Sequence, residues 1–311
     1  MRIPEGIDLK DWIKTHGTIE SQRIHTADHW ENEVAKILKF GDTLTGETLP
    51  WPKTEGYLRL RFGELSLIAG EDGSYKSLLA GQILGYQSFK HKIAISSLEM
   101  KPEETIARIV KQLSGVSEPS PQIQEKFFAL GRNQMLIHDE LDTIEELRCL
   151  GFVDYSAREL GCRFILIDGL TKMNFPTSDG GEREIGFINR LQQMAKALDV
   201  HIMLVCHTRK QGQIRGERKK DDIRGASQLT NLPDQIFMVE ANFLKKQAIE
   251  KSYMGQELSP EERESLDMAD VILNTVKQRH ARYHGKTALY LDQKSLQFKD
   301  HANTPVKHYL G

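Results

Sequence analysis

The stretch LSLIAGEDGSYKSLLAGQILG, residues 65–85, decides the fold. It begins with a short run of mostly apolar residues, which suits a strand that is covered on both faces. A glycine-containing loop follows, and then a helical pattern. A strand, a loop and a helix in this order are typical of a phosphate-binding loop, in which backbone N–H groups and the positive end of the helix face one anion.

The loop itself is GEDGSYKS, residues 70–77. Its glycines permit unusual backbone angles, Lys76 would reach the terminal phosphates, and the Ser77 hydroxyl would bind magnesium. Tyr75 stands where the usual pattern G-x-x-x-x-G-K-[ST] has its second glycine, so either the backbone tolerates a side chain or the tyrosine lies against the nucleotide. The plain alternative is an ordinary strand, turn and helix. The candidate nucleotide-binding residues are Gly70, Glu71, Asp72, Gly73, Ser74, Tyr75, Lys76 and Ser77.

The composition is that of a water-soluble globular protein. The chain has 311 residues, of which 39% are hydrophobic and 28% charged, enough for one large α/β domain with an appendage or for two small domains. The net charge of -2 gives no overall basic field, so any contact with nucleic acid must come from a local patch. The 3 cysteines are scattered, which predicts neither a disulfide framework nor a zinc site and favours a reducing compartment.

We expect a cytoplasmic protein with no membrane partner, because no apolar run could span a bilayer and the first residues lack a signal-peptide core. Residues 1–56 are predicted to form an arm, a linker helix at 30–40 and a linker at 41–56. That helix could dock on a neighbouring subunit or fold back on its own domain, and both readings stay open. The main domain is predicted at 57–300, and 301–311 is a tail.

Apolar strands alternate with helical patterns after residue 65. This alternation predicts an α/β fold with a mainly parallel twisted sheet and helices on both faces. A capping box of Asp142 and Glu145 would begin one helix, and Ser259 would begin a short helix in a charged insertion at 244–268. The predicted strands are 92–97, 135–138, 164–168, 201–206, 235–239, 270–278 and 287–292, and the predicted helices are 102–113, 143–160 and 182–198.

Three polar residues follow the predicted strands closely. Glu99 comes just after KIAISS, Asp168 closes FILID, and His207 follows HIMLVC. Ligands of parallel sheets bind at the carboxyl ends of the strands, so these side chains would meet at the phosphate loop. Each has a plain alternative: a solvated residue before a helix, a turn former before a glycine, and a satisfied histidine at a strand end. Together they favour a nucleotide site.

Several segments resemble the RecA-like ATPase domain of DnaB-type ring helicases, and most closely the branch of phage primase–helicases and Twinkle. The resemblance extends over about residues 30–299. Its most specific segments are SLEM, IRGASQL and the K-Q-R triplet, in this order. The segments that carry it are GELSLIAGEDGSYKS, SLEM, FILIDGL, VCHTRK, DDIRGASQLTNLPDQIFMVE, KQRHARYHG and LYLD.

The resemblance implies a role for each candidate residue. Glu99 would be the catalytic base, Asp168 would serve magnesium with Ser77, and His207 would sense the terminal phosphate. Lys277 and Arg279 would act in the site of the adjacent protomer, where such an arginine neutralises charge in the transition state. Without the resemblance, Lys277 and Arg279 would be taken for the exposed polar end of a strand.

A glycine-containing basic loop at 209–222 matches the family's loops that line a central channel and grip single-stranded DNA. The plain alternative is a solvated loop. Since the loop has no aromatic residue, backbone gripping is favoured over sequence reading. Residues 177–186 could form a second channel loop. The candidate DNA contacts are Arg215, Arg218, Lys219, Lys220 and Arg224.

The resemblance therefore predicts an ATP-driven replicative DNA helicase that uses ATP and Mg²⁺, forms a homo-oligomeric hexameric ring on single-stranded DNA, and has a separate primase as a candidate partner. Residues 7–17 resemble the end of a Toprim primase domain, so the chain is either a stand-alone subunit or part of a longer protein. Two rivals stay open, and Tyr75 is the reason for the first. One is a catalytically weakened nucleotide-binding adaptor, and the other is a recombinase-like ATPase that coats single-stranded DNA without unwinding.

Overall fold

The structure is a computed structural model that describes residues 26–40, 45–141, 143–173, 175, 181–207, 231–280 and 283–311. The chain divides into two compact units, Met1–Asp42 and Thr43–Gly311. In the first unit, a 3₁₀ turn at Ala27–Trp30 leads into helix α1, Glu31–Phe40, which agrees with the helix expected at 30–40. No helix of the described part of the chain is both long and apolar enough to cross a membrane.

The second unit is built on a nine-stranded sheet in the order β3-β2-β4-β5-β1-β6-β7-β8-β9. The six strands from β3 to β6 in that order are parallel, and the three at the other side are antiparallel. The mainly parallel sheet predicted from the sequence is thus confirmed. The strands are β1 Leu65–Gly70, β2 Ile93–Ser97, β3 Met135–His138, β4 Phe164–Asp168, β5 His201–His207, β6 Gln235–Ala241, β7 Val271–Gln278, β8 Gly285–Asp292 and β9 Gln297–Lys299.

Helices cover both faces of the sheet and bury one hydrophobic core on each. Alternate residues of β1 contribute to the two cores, with Ile68 in one and Leu67 in the other. This double burial explains why the strand reads as a nearly continuous apolar run. The helices of the unit are α2 Lys76–Gln87, α3 Pro102–Ser114, α4 Pro121–Gln134, α5 Glu146–Arg158, α6 Glu182–Leu198, α7 Phe243–Tyr253 and α8 Pro260–Asp267.

The register of the parallel strands brings their carboxyl ends to one edge. Gly70 of β1 lies beside His207 of β5, Val205 of β5 lies beside Asp168 of β4, and Asp168 lies beside Ser97 of β2. We call this edge, where β1, β2, β4 and β5 end, the carboxyl edge. The opposite edge, where these strands begin, is the amino edge.

Some local expectations are corrected. Helix α5 begins at Glu146, and Glu145 is its N-cap without a side-chain cap, so the capping box expected with Asp142 is wrong. The box at Ser259 and Glu262 is present in both directions and begins α8 as expected. The sequence reading had also missed α4, α7 and the short strand β9. Helix α4 carried a readable signal, a serine N-cap followed by proline, at residues 120–121.

The second half of the segment expected to be a linker packs into the core. Leu49 and Trp51 are buried, and the Trp51 indole Nε1 donates to the Phe298 carbonyl oxygen at 3.0 Å. Near the chain end, the Tyr309 amide donates to the Leu113 carbonyl at 2.9 Å and Leu310 is buried. These segments on either side of residues 57–300 therefore belong to the packed body.

Candidate functional site

The loop between β1 and α2 has the backbone of a tight cradle. A Cβ atom on Gly70 would lie 2.5 Å from the Ser74 hydroxyl and 2.6 Å from the Val239 carbonyl oxygen, so this position requires glycine. Gly73 has a φ of +74°, in the left-handed region that glycine adopts most readily. Since α2 begins at Lys76, its first free N–H groups face this loop, as an anion site requires.

Tyr75 adopts the conformation for which the usual glycine would be chosen. Its φ is +68°, and it is the N-cap residue of α2. A non-glycine residue in this region costs about 1–2 kcal/mol, which packing elsewhere must offset. The ring packs edge-to-face against Phe298, with centroids 6.2 Å apart, and its burial raises the pKa of the phenol. The backbone therefore tolerates the tyrosine, and the ring contacts the core of the domain.

Lys76 and Ser77 follow directly. Lys76 is buried, and its Nζ donates to the Glu71 carbonyl oxygen at 2.6 Å, across the loop. Burial lowers the pKa of Lys76, although the neighbouring carboxylates of Asp72 and Asp168 oppose this shift. The Ser77 hydroxyl donates to Asp168 Oδ1 at 3.1 Å, which joins the loop to the end of β4.

Asp168 is a buried carboxyl at the carboxyl edge. Burial raises its pKa to about 6, although the hydrogen bond from Ser77 works in the opposite direction. Among the described residues, no lysine, arginine or histidine nitrogen lies within 4 Å of this carboxylate. A hydroxyl and a carboxylate are the oxygen ligands that Mg²⁺ prefers. The pair therefore fits a magnesium ion, whose positive charge would stabilise the ionised carboxylate.

Glu99 and His207 meet on the other side of the loop. His207 Nε2 lies 3.3 Å from Glu99 Oε1, and His207 Nδ1 contacts Asp72. The Thr171 hydroxyl also donates to Glu99 Oε1, at 3.3 Å. The hydrogen bond with His207 is the largest cause that lowers the pKa of Glu99. Because of this lowered pKa, Glu99 is ionised at neutral pH. Its side chain is 33% exposed, so solvent can reach it.

The loop residues from Gly73 to Ser77, together with Glu99 and His207, line an open cleft with a volume of about 340 Å³. The sequence had predicted most of its walls, including Lys76, Glu99 and His207. It had missed Arg108 and Lys246, which also line the cleft, as well as Thr171. Arg108 and Thr171 follow no spacing rule relative to the loop, and Lys246 stands in a charged insertion, where a lysine is ordinarily expected to face solvent. No sequence signal singled them out.

Arg279 and Lys277 lie at the amino edge, away from this cleft. The Arg279 guanidinium forms an ion pair with Asp234 at 2.9 Å, and the Lys277 ammonium donates to the Asn231 carbonyl at 2.6 Å. Val239 of β6 pairs with Gly70, five residues further along the strand than Asp234. At about 3.3 Å per residue, Arg279 stands about 16 Å from its own loop along the strand direction.

The candidate DNA contacts lie outside the described residues. The same holds for residues 177–180 of the possible second channel loop, whereas the remainder of that loop, from Glu182 onward, forms the start of α6. The structure therefore gives no placement for Arg215, Arg218, Lys219, Lys220 and Arg224.

Comparisons with known proteins agree with this geometry. The family model of the DnaB-like helicase C-terminal domain matches residues 53–300. A solved structure of a single ATPase domain is similar, with a TM-score of 0.70 and 17% identity, over 89% of this chain and 99% of that one. A DnaB-like replicative helicase, solved to study its interactions with primase, gives a TM-score of 0.65 and 17% identity, over 94% of this chain and 71% of that one.

The two structural matches are too distant in sequence to show more than the RecA-like fold. The family model extends over most of the chain, including the loop, the strand ends and the Lys277–Arg279 segment. The chain therefore belongs to the DnaB-like helicase C-terminal domain family, and it is the ATP-driven motor domain of a replicative DNA helicase.

Proposed function

We propose that the cleft binds ATP with Mg²⁺ and hydrolyses it, and that hydrolysis drives a hexameric ring of this chain along single-stranded DNA. One observation carries the proposal. Side chains from four segments converge at the carboxyl edge, where Ser77 is 3.1 Å from Asp168 and His207 is 3.3 Å from Glu99 beside the same loop. Each contact joins residues that are about a hundred positions apart in the chain.

The loop would hold the phosphates. The N–H groups at the start of α2 would donate to the phosphate oxygens, and Lys76 would leave the Glu71 carbonyl to bind the terminal phosphates. Ser77 and Asp168 would hold Mg²⁺, which when bound neutralises charge on the phosphate oxygens. The positive φ of Tyr75 supports a competent loop, because the backbone there has the conformation of the usual glycine. This favours the motor over the weakened adaptor.

Glu99 would take the proton from the attacking water. A base must be ionised and must reach the water, and the lowered pKa and partial exposure of Glu99 meet both needs. Thr171 would orient the carboxylate through its hydrogen bond. His207 contacts both Glu99 and Asp72. A movement of the His207 side chain on phosphate release would therefore change the position of the Glu99 carboxylate.

Arg279 and Lys277 would act in the neighbouring subunit. Both residues lie at the amino edge, about 16 Å along the strand direction from the phosphate loop of their own subunit. Their side chains are therefore too far from that loop and would contact the cleft of another protomer. A head-to-tail contact of this kind closes into a ring when its rotation permits. The ring size of six comes from the resemblance.

The basic loop at 209–222 would grip the DNA backbone. It begins two residues after His207, so the phosphate contact and the DNA contact are close in the chain. The DnaB-like relative was solved for its interactions with primase, and we propose a primase as a candidate partner of this chain also.

The test is ATP turnover with and without single-stranded DNA, followed by strand displacement from a forked duplex. We expect stimulation of turnover by DNA and displacement that depends on ATP. Lys76→Ala should abolish both, while Lys126→Ala, an exposed lysine outside the cleft, should change neither. Absence of turnover would favour the adaptor, and stimulated turnover without displacement would favour the recombinase-like ATPase.

A further inference from the structure

A helical hairpin at the side of the cleft has no assigned role. It consists of α7 and α8, residues 243–267, and is inserted between β6 and β7. Its base is fixed to the sheet, because the Lys245 ammonium pairs with Asp270 at 2.9 Å and donates to the Met268 carbonyl at 2.8 Å. Its two helices are joined by an ion pair between Lys251 and Glu262 at 2.5 Å. The hairpin therefore holds a defined position beside the phosphate loop.

Lys246 is the residue that this hairpin brings to the loop. Its Nζ lies 5.4 Å from the centroid of the Tyr75 ring, within the range of a cation–π contact. The same atom is 3.8 Å from the position that a Cβ on Gly73 would occupy. Lys246 also lines the cleft together with Ser74 and Lys76. One ammonium group thus faces the loop, the tyrosine and the cleft.

Lys246 differs from two neighbouring lysines of α7 in the pairing of its charge. Lys245 and Lys251 each pair with a carboxylate. In the part of the chain that the structure describes, no carboxylate oxygen lies within 4 Å of the Lys246 ammonium. A half-buried cation without an anion, at the entrance of an anion-binding loop, is suited to bind a phosphate group.

We propose that Lys246 binds a phosphate group of the nucleotide in its own subunit, and that Tyr75 holds it in place. The inference rests on the proposed function, since it requires that the loop bind a nucleotide. It also explains the tyrosine. The ring packs edge-to-face with Phe298 and lies beneath the Lys246 ammonium, so the residue that departs from the usual glycine pattern holds a second cation at the loop.

The test is a competition assay with Mg²⁺ and two probes, ADP and inorganic pyrophosphate, which has no base or ribose. Lys246→Met keeps the length of the side chain and removes the charge. We expect it to weaken both probes about tenfold, because hydrogen bonds to charged groups are the strong ones. Lys246→Arg should stay within about threefold of the unmodified protein, and the control Lys126→Met should be unchanged.

Two further variants test the role of the ring. Tyr75→Phe keeps the aromatic face and should weaken both probes less than Tyr75→Leu, which should lose about threefold. In the double variant Tyr75→Leu/Lys246→Met, the loss should be no larger than in Lys246→Met alone, since the ring acts through the lysine. Fully additive losses would contradict the part assigned to Tyr75.

The outcomes separate this inference from the proposed function. Lys246→Met binding within about twofold of the unmodified protein, while Lys76→Ala binding is lost, would overturn the inference alone. A loss for ADP but not for pyrophosphate would also overturn it, because the contact would then be to the base or ribose. An equal loss in Lys246→Arg would exclude charge as the cause. If the unmodified protein binds neither probe, both the inference and the proposed function are wrong.

Discussion

The two edges of the central sheet differ in how far their glutamates are exposed to solvent. At the carboxyl edge, Glu99 is 33% exposed and lies in an open cleft that it shares with Lys76. At the amino edge, Asp234 is 1% exposed and Glu64 is 4% exposed. Asp234 is tied to Arg279 by an ion pair and accepts from the Leu65 amide at 3.0 Å. The carboxyl edge thus leaves Glu99 open to the cleft beside the buried Lys76 and Asp168, whereas the amino edge uses Asp234 within the fold.

The pKa values of these two glutamates, Glu99 and Glu64, are shifted in opposite directions. The hydrogen bond with His207 lowers the pKa of Glu99, so this carboxylate is ionised at neutral pH. Burial raises the pKa of Glu64 to about 7, and neither of its carboxyl oxygens has a hydrogen-bond partner among the described residues. Arg279 at the amino edge is 38% exposed although it forms an ion pair with the buried Asp234.

The largest effect is expected at the carboxyl edge. Glu99→Gln removes the base but keeps the shape of the side chain, so we expect turnover to fall about a thousandfold while ADP binding stays within about threefold. Steady-state ATP hydrolysis and nucleotide titration would measure this split. The matched control is Glu103→Gln, an exposed glutamate in the first turn of α3, which should be unchanged. Turnover within about tenfold of the unmodified protein would remove Glu99 from the role of base.

The pair formed by the buried Asp234 and the partly exposed Arg279 at the amino edge should matter for stability instead. Asp234→Ala leaves the Leu65 amide without its acceptor and Arg279 without its partner, while Gln192 keeps the Leu232 carbonyl as an acceptor. We expect the free energy of unfolding to fall by about 3 kcal/mol, measured by urea denaturation. The control is Asp154→Ala, whose pair with Arg158 is exposed and should be worth less than about 0.5 kcal/mol. Equal effects of the two variants would contradict the contrast between the edges.

The difference between the edges shows where sequence reasoning succeeds. Gly70, Lys76, Asp168 and His207 were predicted together, because a parallel sheet brings all of its carboxyl ends to one edge. No comparable rule gives the partners of the amino edge. The pairing of Arg279 with Asp234 depends on the register of an antiparallel strand, and that register contains a bulge between Ile236 and Phe237. Single-sequence patterns do not fix such a register.

Helix α7 illustrates a second limit. Its sequence FLKKQAIEKSY has little amphipathic pattern, since only Ala248 is buried among its residues. Helicity there depends on the Asn242 cap and on packing against α8, which are tertiary and local contacts that periodicity does not report. The position of Lys246 at the cleft follows from this hairpin and could not be predicted from the chain alone.

A smaller effect concerns the pH dependence of stability. The folded pKa of Glu64 is raised above its ordinary value of 4.5 to about 7, so the folded state binds more protons than the unfolded state between these pH values. Stability should therefore decrease as pH rises through this window. Glu64→Gln removes this penalty and should raise the free energy of unfolding by about 2 kcal/mol at about pH 8, but not near pH 4.5. Urea denaturation at both pH values measures the difference.

Other charges face Glu64 and act in both unmodified and variant protein. Arg61 and Arg279 lower the pKa of Glu64, and Asp234 raises it. His201 is buried beside them, and burial lowers its pKa to about 4. Its contribution to the free energy of unfolding therefore decreases as pH falls below about 6.5, which is opposite in sign to the effect of Glu64. Parallel pH curves of the two proteins would show that Glu64 is ionised at the same pH in the folded and unfolded states.

The most direct measurement asks whether the two edges meet between subunits. Arg279→Ala protein has an intact loop and Lys76→Ala protein has an intact arginine, and we expect each alone to hydrolyse ATP about a thousandfold more slowly than the unmodified protein. In assemblies mixed one to one, and shown to be mixed by native mass spectrometry, about a quarter of the interfaces would join an intact loop to an intact arginine.

Recovery of DNA-stimulated ATP hydrolysis in these mixed assemblies, toward that fraction of the unmodified rate, is the result we predict. Hydrolysis that stays at the level of the separate variants in demonstrated mixed assemblies would contradict a site completed by the amino edge of a neighbouring subunit.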